Sequence, residues 1–425
     1  MVRVNGLARA AGFCSTASVA LLALAPLWCF AQTHGSPKPV KLGVDVLIEE
    51  GFKPLRGKRV GLITNPTGVT SDLRATIDVL NEATQVELVA LFGPEHGVRG
   101  EAHAGAHVED ARDAITGLPI RSLYGKHRKP TPEMLTDLDV LVFDIQDIGS
   151  RSYTYISTMA VAMEAAAENH LPFVVLDRPN PLTGRRIEGR PLDLRYRSFV
   201  GRLPIPYVHG LTVGELARMI NGEGWLAGGV RCDLRIVPMK GWHRAMGFDQ
   251  TGLTWVPTSP HIPRADTALY YAATGIMGEL HMISEGVGYT LPFELCGGPQ
   301  IDPQKLADEL NRRSLPGVFF RPTYFTPYYG RYAKQTCGGV HVLFTDREKV
   351  ELTPIQFHVM DAVRLLHPDM KLFGQGRDAM FDKVCGTDRI RRMFLDGCPL
   401  DEIIGFWREG LGAFRSARAR YLLYD

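Results

Sequence analysis

The chain is predicted to begin with a doubly wound parallel α/β sheet and to continue into a smaller α+β domain. Four short runs of β-branched and aliphatic residues support the sheet, at 59–64, 86–92, 139–143 and 172–176. Continuous apolar runs of this length are typical of strands buried on both faces. Helical segments separate the runs, chiefly 71–81 and 156–169, and the second is rich in the strong helix formers Ala and Met. This alternation indicates βαβ units with right-handed crossovers.

The pattern of the later residues predicts the end of the sheet and a second domain. A helix is expected over 210–220 and a final strand of the sheet at 233–237. Residues 240–266 are rich in Trp, Pro, His and Gly and are expected to lead into the second domain. Helices are predicted there at 267–277, 303–311, 354–366, 389–393 and 401–421, with a strand at 339–344. The expected domains are therefore 40–240, which is α/β, and 241–425, which is α+β because it lacks a βαβ rhythm.

The first 31 residues have the pattern of a secretory signal peptide. Arg3 and Arg9 precede an apolar run over 17–30, and Ala31 provides a small residue at the cleavage point. The run is shorter than a bilayer-spanning helix requires, so we expect a periplasmic or secreted protein without a membrane anchor. Export would allow disulfides, and Cys385 with Cys398 is the candidate pair because these two are nearest in sequence.

Composition and missing motifs argue against several classes of function. The net charge of +2 gives no electrostatic basis for binding nucleic acid or an acidic membrane surface. No Gly-x-Gly-x-x-Gly follows the first strand, and no Walker motif or Gly-x-Ser-x-Gly elbow is present. His103 and His107, which follow His96, show no established metal-ligand spacing. We therefore expect neither a nucleotide cofactor nor a metal.

Polar side chains follow all four apolar runs, at the point where each run ends. Since the carboxyl ends of parallel strands share one edge of a sheet, these side chains are expected to converge on one binding site. Turn chemistry accounts for the Asn, Asp, Gly and Pro residues there, but it does not account for glutamate, glutamine, arginine and paired tyrosines. The candidate site residues are Asn65, Glu95, His96, Asp144, Gln146, Arg151, Tyr153, Tyr155, Asp177, Arg178 and Asn180.

This set of side chains fits a sugar ligand. Amides and carboxylates hydrogen-bond sugar hydroxyls, and aromatic rings pack on the apolar face of a pyranose. A carboxyl of raised pKa beside an anionic one is the working pair of glycoside cleavage. Glu95 and Asp144 are the candidate catalytic pair, although Glu95 alone is equally compatible with a capping role.

Five motifs, in this order, resemble the exo-β-N-acetylmuramidase family. They are LITNPTG at 62–68, FGPEHG at 92–97, FDIQDIGSRSYTY at 143–155, DRPNP at 177–181 and HGLTVGE at 209–215. The resemblance extends from about Leu42 to the C-terminus. It implies removal of N-acetylmuramic acid (MurNAc) from the non-reducing end of peptidoglycan disaccharides or glycan chains in cell-wall turnover. It also implies a Rossmann-like first domain, a cleft between the two domains, and Glu95 as the catalytic glutamate.

The resemblance suggests how the charged residues would act. Glu95 is expected to be a general acid whose pKa is raised by burial beside Asp144. Asp144 or Asp177 would then activate water or orient the substrate's acetamido group. The lactyl carboxylate of MurNAc can accept two hydrogen bonds from a guanidinium, which makes Arg151 and Arg178 candidates. Alternatively, either arginine pairs with Asp144 or Asp177 and only shapes its loop.

The orientation of the two tyrosines and three further positions complete the expected site. One of Tyr153 and Tyr155 is expected to face the pocket and the other the core. His209 opens the fifth motif and is taken as a substrate contact. Glu285 lies in a glycine-rich loop that either closes over the sugar or forms a plain turn. Leu291 stands where many family members have arginine, so another residue would have to replace any contact that this arginine makes.

Two other functions stay open from the sequence alone. One is a non-catalytic periplasmic protein that binds muropeptides or sugars. The other is a different hydrolase, such as a metal-dependent esterase, on the same scaffold.

Overall fold

Residues 59–237 contain a seven-stranded sheet. The computed structural model describes residues 39–95, 97–100, 111–374 and 376–425. The strands of this sheet are β1 (Arg59–Thr64), β2 (Glu87–Gly93), β3 (Ala111–Arg112), β4 (Pro119–Ser122), β5 (Val140–Asp144), β6 (Phe173–Leu176) and β7 (Leu234–Val237). They lie in the order β3-β4-β2-β1-β5-β6-β7, and only the β3–β4 pair is antiparallel. Apart from β3, this is the strand order of a Rossmann fold, which confirms the predicted class and puts the switch point between β1 and β5.

Helices cover both faces of this sheet. The helices of the first part are α1 (Gly43–Glu49), α2 (Thr76–Glu82), α3 (Pro132–Leu135), α4 (Tyr155–Glu168) and α5 (Val213–Glu223). Leu141 and Phe143 of β5 pack in one apolar cluster with residues of α4 and α5. Val140 and Val142, which alternate with them, pack in another cluster with residues of α1 and α2. The sheet is therefore buried on both sides, as the continuous apolar runs predict.

A three-stranded antiparallel sheet and further helices form the smaller second part. Its strands are β8 (Leu295–Gly298), β9 (Val318–Phe325) and β10 (Cys337–Phe344), in the order β8-β10-β9. Its helices are α6 (Thr267–Thr274), α7 (Pro303–Arg312), α8 (Ile355–Leu366), α9 (Asp378–Cys385), α10 (Arg389–Leu395), α11 (Leu400–Trp407) and α12 (Leu411–Arg418). The mixture of an antiparallel sheet with helices confirms the α+β prediction. The predicted boundary between 240 and 241 stays a prediction.

Some elements differ from the sequence prediction, for local reasons. The helix predicted at 71–81 begins only at Thr76, because a turn precedes it in which Leu73 has a φ of 70°. The helix predicted at 401–421 divides into α11 and α12 at Gly410, whose φ of 81° interrupts the helix. The unpredicted strand β9 contains Pro322, which an edge strand tolerates.

The predicted disulfide between Cys385 and Cys398 is wrong. Both thiols are free, and so are the other three cysteines of the described residues. Cys385 ends α9 in the core, whereas Cys398 follows α10, so a whole helix separates them. Within the described ranges, no helix is both long and apolar enough to span a membrane.

The last residues of the chain return to the first sheet. Tyr424 packs edge-on against Trp242, with 5.0 Å between the ring centroids. The Tyr424 hydroxyl donates a hydrogen bond of 2.5 Å to Asp177, which directly follows β6. The C-terminal segment therefore stabilises the carboxyl edge of the Rossmann-like sheet.

Candidate active site

A cavity of about 210 Å³ lies beside the carboxyl end of β2. Its walls come from the end of β2, the turn into α4, the loop before α6, and α6 with the loop that follows it. The lining residues are Glu95, Ser152, Tyr153, Thr154, Tyr155, Ser259, Pro260, His261, Ile262, Tyr271 and Phe293. Of the residues named from the sequence, the structure thus brings Glu95, Tyr153 and Tyr155 together. His96, His103 and His107 lie outside the described residues.

Glu95 is half-buried and lies beside a tyrosine that the sequence analysis missed. Gly93 of β2 pairs in parallel with Ser122 of β4, so the residues that follow these two strands are neighbours. Tyr124 lies close to the Glu95 carboxyl; burial, followed by the charge of Glu95, raises the pKa of Tyr124. The tyrosine is therefore a neutral hydroxyl group beside the Glu95 carboxyl.

Both tyrosines at the start of α4, rather than one, line the cavity. The Tyr153 and Tyr155 hydroxyls donate to Thr258, to its Oγ1 at 2.8 Å and its carbonyl at 2.5 Å. Their rings pack edge to face, and Tyr271 of α6 packs edge to face against Tyr153. Burial raises the pKa of all three tyrosines. The wall therefore presents ring faces together with neutral hydroxyl groups.

His261 marks one side of the cavity and was not named from the sequence. Its Nε2 lies 2.9 Å from the Tyr329 hydroxyl, and the two rings stack with centroids 6.0 Å apart. His261 lies far beyond the end of β7, in the loop that leads to α6, so the strand-end rule could not identify it. A signal was present in the cluster of Ser, Pro and His at 258–263.

Asp144 and Arg178 form a buried ion pair and do not line this cavity. Arg178 Nε and Nη2 donate to the two Asp144 oxygens at 2.6 and 2.9 Å, and Thr76 Oγ1 donates to Asp144 at 2.6 Å. Arg178 also donates to the carbonyl of Val69 at 2.8 Å. Arg178 therefore pairs with Asp144 and shapes its loop, which was the alternative to binding the lactyl carboxylate. The guanidinium group of Arg178 therefore balances the charge of Asp144.

Arg151 is also committed to the protein itself. Its Nη1 and Nη2 donate to four backbone carbonyls at 2.8–3.1 Å, two of them at the C-terminal end of α9. The side chain is almost fully buried, and burial lowers its pKa to about 10. It therefore joins the turn after β5 to the second part of the chain, and it is not among the residues that line the cavity; its Nε is buried without a hydrogen-bond partner among the described residues.

The amides named from the sequence hold the neighbouring turns. Asn65 Oδ1 accepts from the backbone N–H of Thr67 at 2.9 Å, and Gln146 Nε2 donates to the carbonyls of Asp147 and Pro179, both at 2.7 Å. Gln146, Thr67 and Arg178 border a second, much smaller cavity of about 20 Å³.

Asn180 and His209 are each at most 3% exposed. Asn180 Nδ2 donates to the carbonyl of Leu211 at 2.9 Å, and its Oδ1 accepts from the N–H of Leu182. His209 Nδ1 accepts from the N–H of Leu211 at 3.2 Å. Burial and the charges of Arg418 and Arg151 lower the pKa of His209 to about 3, so the ring is neutral. Neither side chain lines the cavity.

Asp177 and Asp147 are buried carboxyl groups with unlike surroundings. Asp177 accepts from the N–H of Gly214 and the hydroxyls of Thr212 and Tyr424, and burial raises its pKa to about 6. Asp147, which the sequence analysis did not select, accepts the N–H of Gly149 through Oδ1. Its Oδ2 is buried without a hydrogen-bond partner among the described residues, and burial raises its pKa to about 7.

Glu285 and Leu291 lie behind the cavity wall in the second part. Glu285 Oε2 is 3.4 Å from Arg331 Nη1, and burial raises the pKa of Glu285 to about 7. The backbone of Glu285 accepts the N–H of Phe293, which does line the cavity. Leu291 packs in a small apolar cluster with Phe325.

The protein has a Rossmann-like fold, and its cavity places a carboxyl group and tyrosines at the carboxyl edge of the sheet. These side chains are typical of a sugar-processing enzyme. Family profiles described as exo-β-N-acetylmuramidase NamZ, N-terminal and C-terminal, match residues 60–266 and 269–424. The chain therefore belongs to the exo-β-N-acetylmuramidase NamZ family of glycoside hydrolases.

Individual relatives agree with this assignment. The chain is 47% identical over 394 residues to the peptidoglycan β-N-acetylmuramidase NamZ of Bacillus subtilis, covering 92% of this chain and 93% of that protein. A crystal structure of a DUF1343 family protein from Bacteroides fragilis is 52% identical, with a TM-score of 0.87 over 91% of this chain and 99% of that one. A second DUF1343 structure from that organism is 30% identical, with a TM-score of 0.73 over the same shares.

Proposed function

We propose that this chain hydrolyses the β-glycosidic bond of a non-reducing terminal MurNAc in peptidoglycan fragments, with Glu95 as general acid. The observation that carries the proposal is the Glu95 carboxyl, which lies beside Tyr124 in a cavity walled by tyrosines. The relative from Bacillus subtilis, which matches most of the chain, is named for this activity on peptidoglycan.

The residues that line the cavity have different roles in this proposal. Glu95 donates its proton to the oxygen of the leaving sugar as the bond between this oxygen and C1 of MurNAc breaks, and water supplies the hydroxyl group that C1 gains. The rings of Tyr153, Tyr155 and Tyr271 pack on the apolar face of the MurNAc ring. The hydroxyl oxygens of Tyr153 and Tyr155, whose hydrogens are donated to Thr258, accept hydrogen bonds from the sugar.

The two aspartates named from the sequence take a supporting role in this proposal. The oxygens of Asp144 are engaged by Arg178 and Thr76, and those of Asp177 by α5 and the C-terminal segment. We assign both to positioning of the turns at the sheet edge. The same holds for Arg151, whose Nη1 and Nη2 donate to carbonyl oxygens.

A chromogenic nitrophenyl β-MurNAc and the MurNAc–GlcNAc disaccharide test the proposal together. The expected result is release of nitrophenol from the first and of free MurNAc from the second, unchanged by EDTA. Tight binding of the disaccharide without turnover would instead identify a sugar-binding protein. Turnover that EDTA abolishes would identify a metal-dependent hydrolase. Either result contradicts the proposal.

We also infer that the enzyme acts in the periplasm or outside the cell, after removal of residues 1–31. The support is the sequence pattern of those residues, with two arginines before an apolar run and Ala31 at its end. Its substrate, a fragment of the cell wall, is formed in the same compartment.

A further inference from the structure

A shallow aromatic depression of about 520 Å³ lies apart from the catalytic cavity. Tyr289, Tyr324 and Tyr328 line it, and we call these three residues the tyrosine surface. Tyr324 and Tyr328 are 68% and 70% exposed, which is unusual for large aromatic side chains. Clustered exposed aromatic residues mark binding surfaces on soluble proteins.

The tyrosine surface is held in place by its backbone. The rings of Tyr289 and Tyr328 stack nearly parallel, with 5.9 Å between their centroids and 13° between their planes. The N–H of Tyr328 donates to the carbonyl of Gly288 at 2.7 Å. A Cβ atom on Gly288, whose φ is 93°, would stand only 2.0 Å from the carbonyl oxygen of Tyr329. The two loops therefore meet backbone to backbone, which presents the rings in a fixed arrangement.

Polar groups border these rings. Lys334 is exposed, and the hydroxyls of Thr326 and Thr336 lie 3.3 Å apart. Ring faces bordered by hydroxyl groups and one ammonium group match a sugar chain that carries carboxylates. A partner protein with an apolar surface would leave the ammonium and hydroxyl groups without hydrogen-bond partners.

Neighbouring residues connect the tyrosine surface with the catalytic cavity. His261 lines the cavity, stacks on Tyr329 and hydrogen-bonds its hydroxyl. Tyr329 directly follows Tyr328 in the chain, so a polymer that leaves the cavity past His261 and Tyr329 is next to a residue of the tyrosine surface.

We infer that the tyrosine surface binds the continuation of the glycan strand whose terminal MurNAc occupies the cavity. The ligand class is an anionic β-linked amino-sugar chain. Its pyranose rings would pack on Tyr324 and Tyr328, and Lys334 would pair with its carboxylates. The inference rests on the proposed function, because it assumes that the cavity holds the terminal sugar of such a strand.

Tyr328→Ala tests this with two substrates, a soluble MurNAc–GlcNAc octasaccharide and the nitrophenyl β-MurNAc, which is too short to reach the tyrosine surface. The ratio of kcat/KM for the octasaccharide to that for the nitrophenyl glycoside should fall about 3- to 10-fold, the usual range for one lost aromatic contact. Tyr324→Ala should act in the same direction. Tyr328→Phe keeps the ring and should keep the ratio.

Phe319→Ala is the matched control. Phe319 is another exposed aromatic residue of β9, five positions before Tyr324 and about 17 Å along the strand. It should leave the ratio unchanged. An unchanged ratio in both tyrosine-to-alanine variants, or an equal loss on both substrates, would overturn the inference. A wild-type protein that cleaves neither substrate would instead contradict the proposed function.

Discussion

Arg178→Met is expected to destabilise the protein by about 3–5 kcal/mol. Arg178 and Asp144 are 3% and 0% exposed, and two hydrogen bonds of 2.6 and 2.9 Å join them. The variant leaves the Asp144 carboxylate buried, with the Thr76 hydroxyl as a remaining donor. Removal of one partner from a buried pair costs this much because it leaves an uncompensated charge in the interior.

Urea unfolding followed by tryptophan fluorescence measures the loss, as a shift in the midpoint at a constant slope. Arg74→Met is the matched control, because Arg74 pairs with Glu82 at 2.8 Å but the two are 51% and 65% exposed. An exposed pair contributes at most about 1 kcal/mol.

Adding Asp144→Asn to Arg178→Met should recover part of the lost stability, since it removes the stranded charge. If Arg178→Met costs no more than Arg74→Met, the Asp144–Arg178 pair does not stabilise the sheet edge, and the positioning role assigned to Asp144 is wrong.

Three further predictions concern other residues. Burial raises the Asp147 pKa from 3.8 to about 7, so the contribution of this group to stability is present below pH 3.8 and is lost as the pH rises through 7. The free energy of unfolding of Asp147→Asn, measured with urea, should therefore exceed that of wild type by about 2–4 kcal/mol at pH 8 and should equal it near pH 4. Tyr124→Phe should lower kcat about 10-fold on the disaccharide and less on the nitrophenyl glycoside, because it removes the hydroxyl group beside the Glu95 carboxyl; equal losses on the two substrates would count against this role of Tyr124. Mass spectrometry of the exported protein should find an N-terminus near Gln32, and an intact Met1 would exclude cleavage.

The sheet could be predicted from the sequence because its strands are continuous apolar runs. Such runs require burial on both faces, and that requirement leads directly to a parallel sheet covered by helices. β9 has no such signal, since an edge strand of a small sheet alternates and even tolerates Pro322. Gly410 shows a second limit: a glycine within a helical pattern does not reveal its φ.

The site could be predicted only in part, because a motif gives the position of a residue and not the direction of its side chain. The strand-end rule correctly directed attention to the segment of Glu95, Tyr153 and Tyr155. It could not show that Arg151 turns inward to carbonyl groups of a distant helix. It also missed His261, whose place in the cavity depends on packing between the two parts of the chain.

Glu95→Gln tests the central claim, that Glu95 is the general acid of a β-N-acetylmuramidase. The variant keeps the size of the side chain, so folding and disaccharide binding should persist. Turnover of the MurNAc–GlcNAc disaccharide should fall by about 10²–10⁴-fold. The loss should be much smaller on the nitrophenyl glycoside, whose leaving group needs little protonation. Near-normal turnover of the disaccharide by Glu95→Gln would contradict the account.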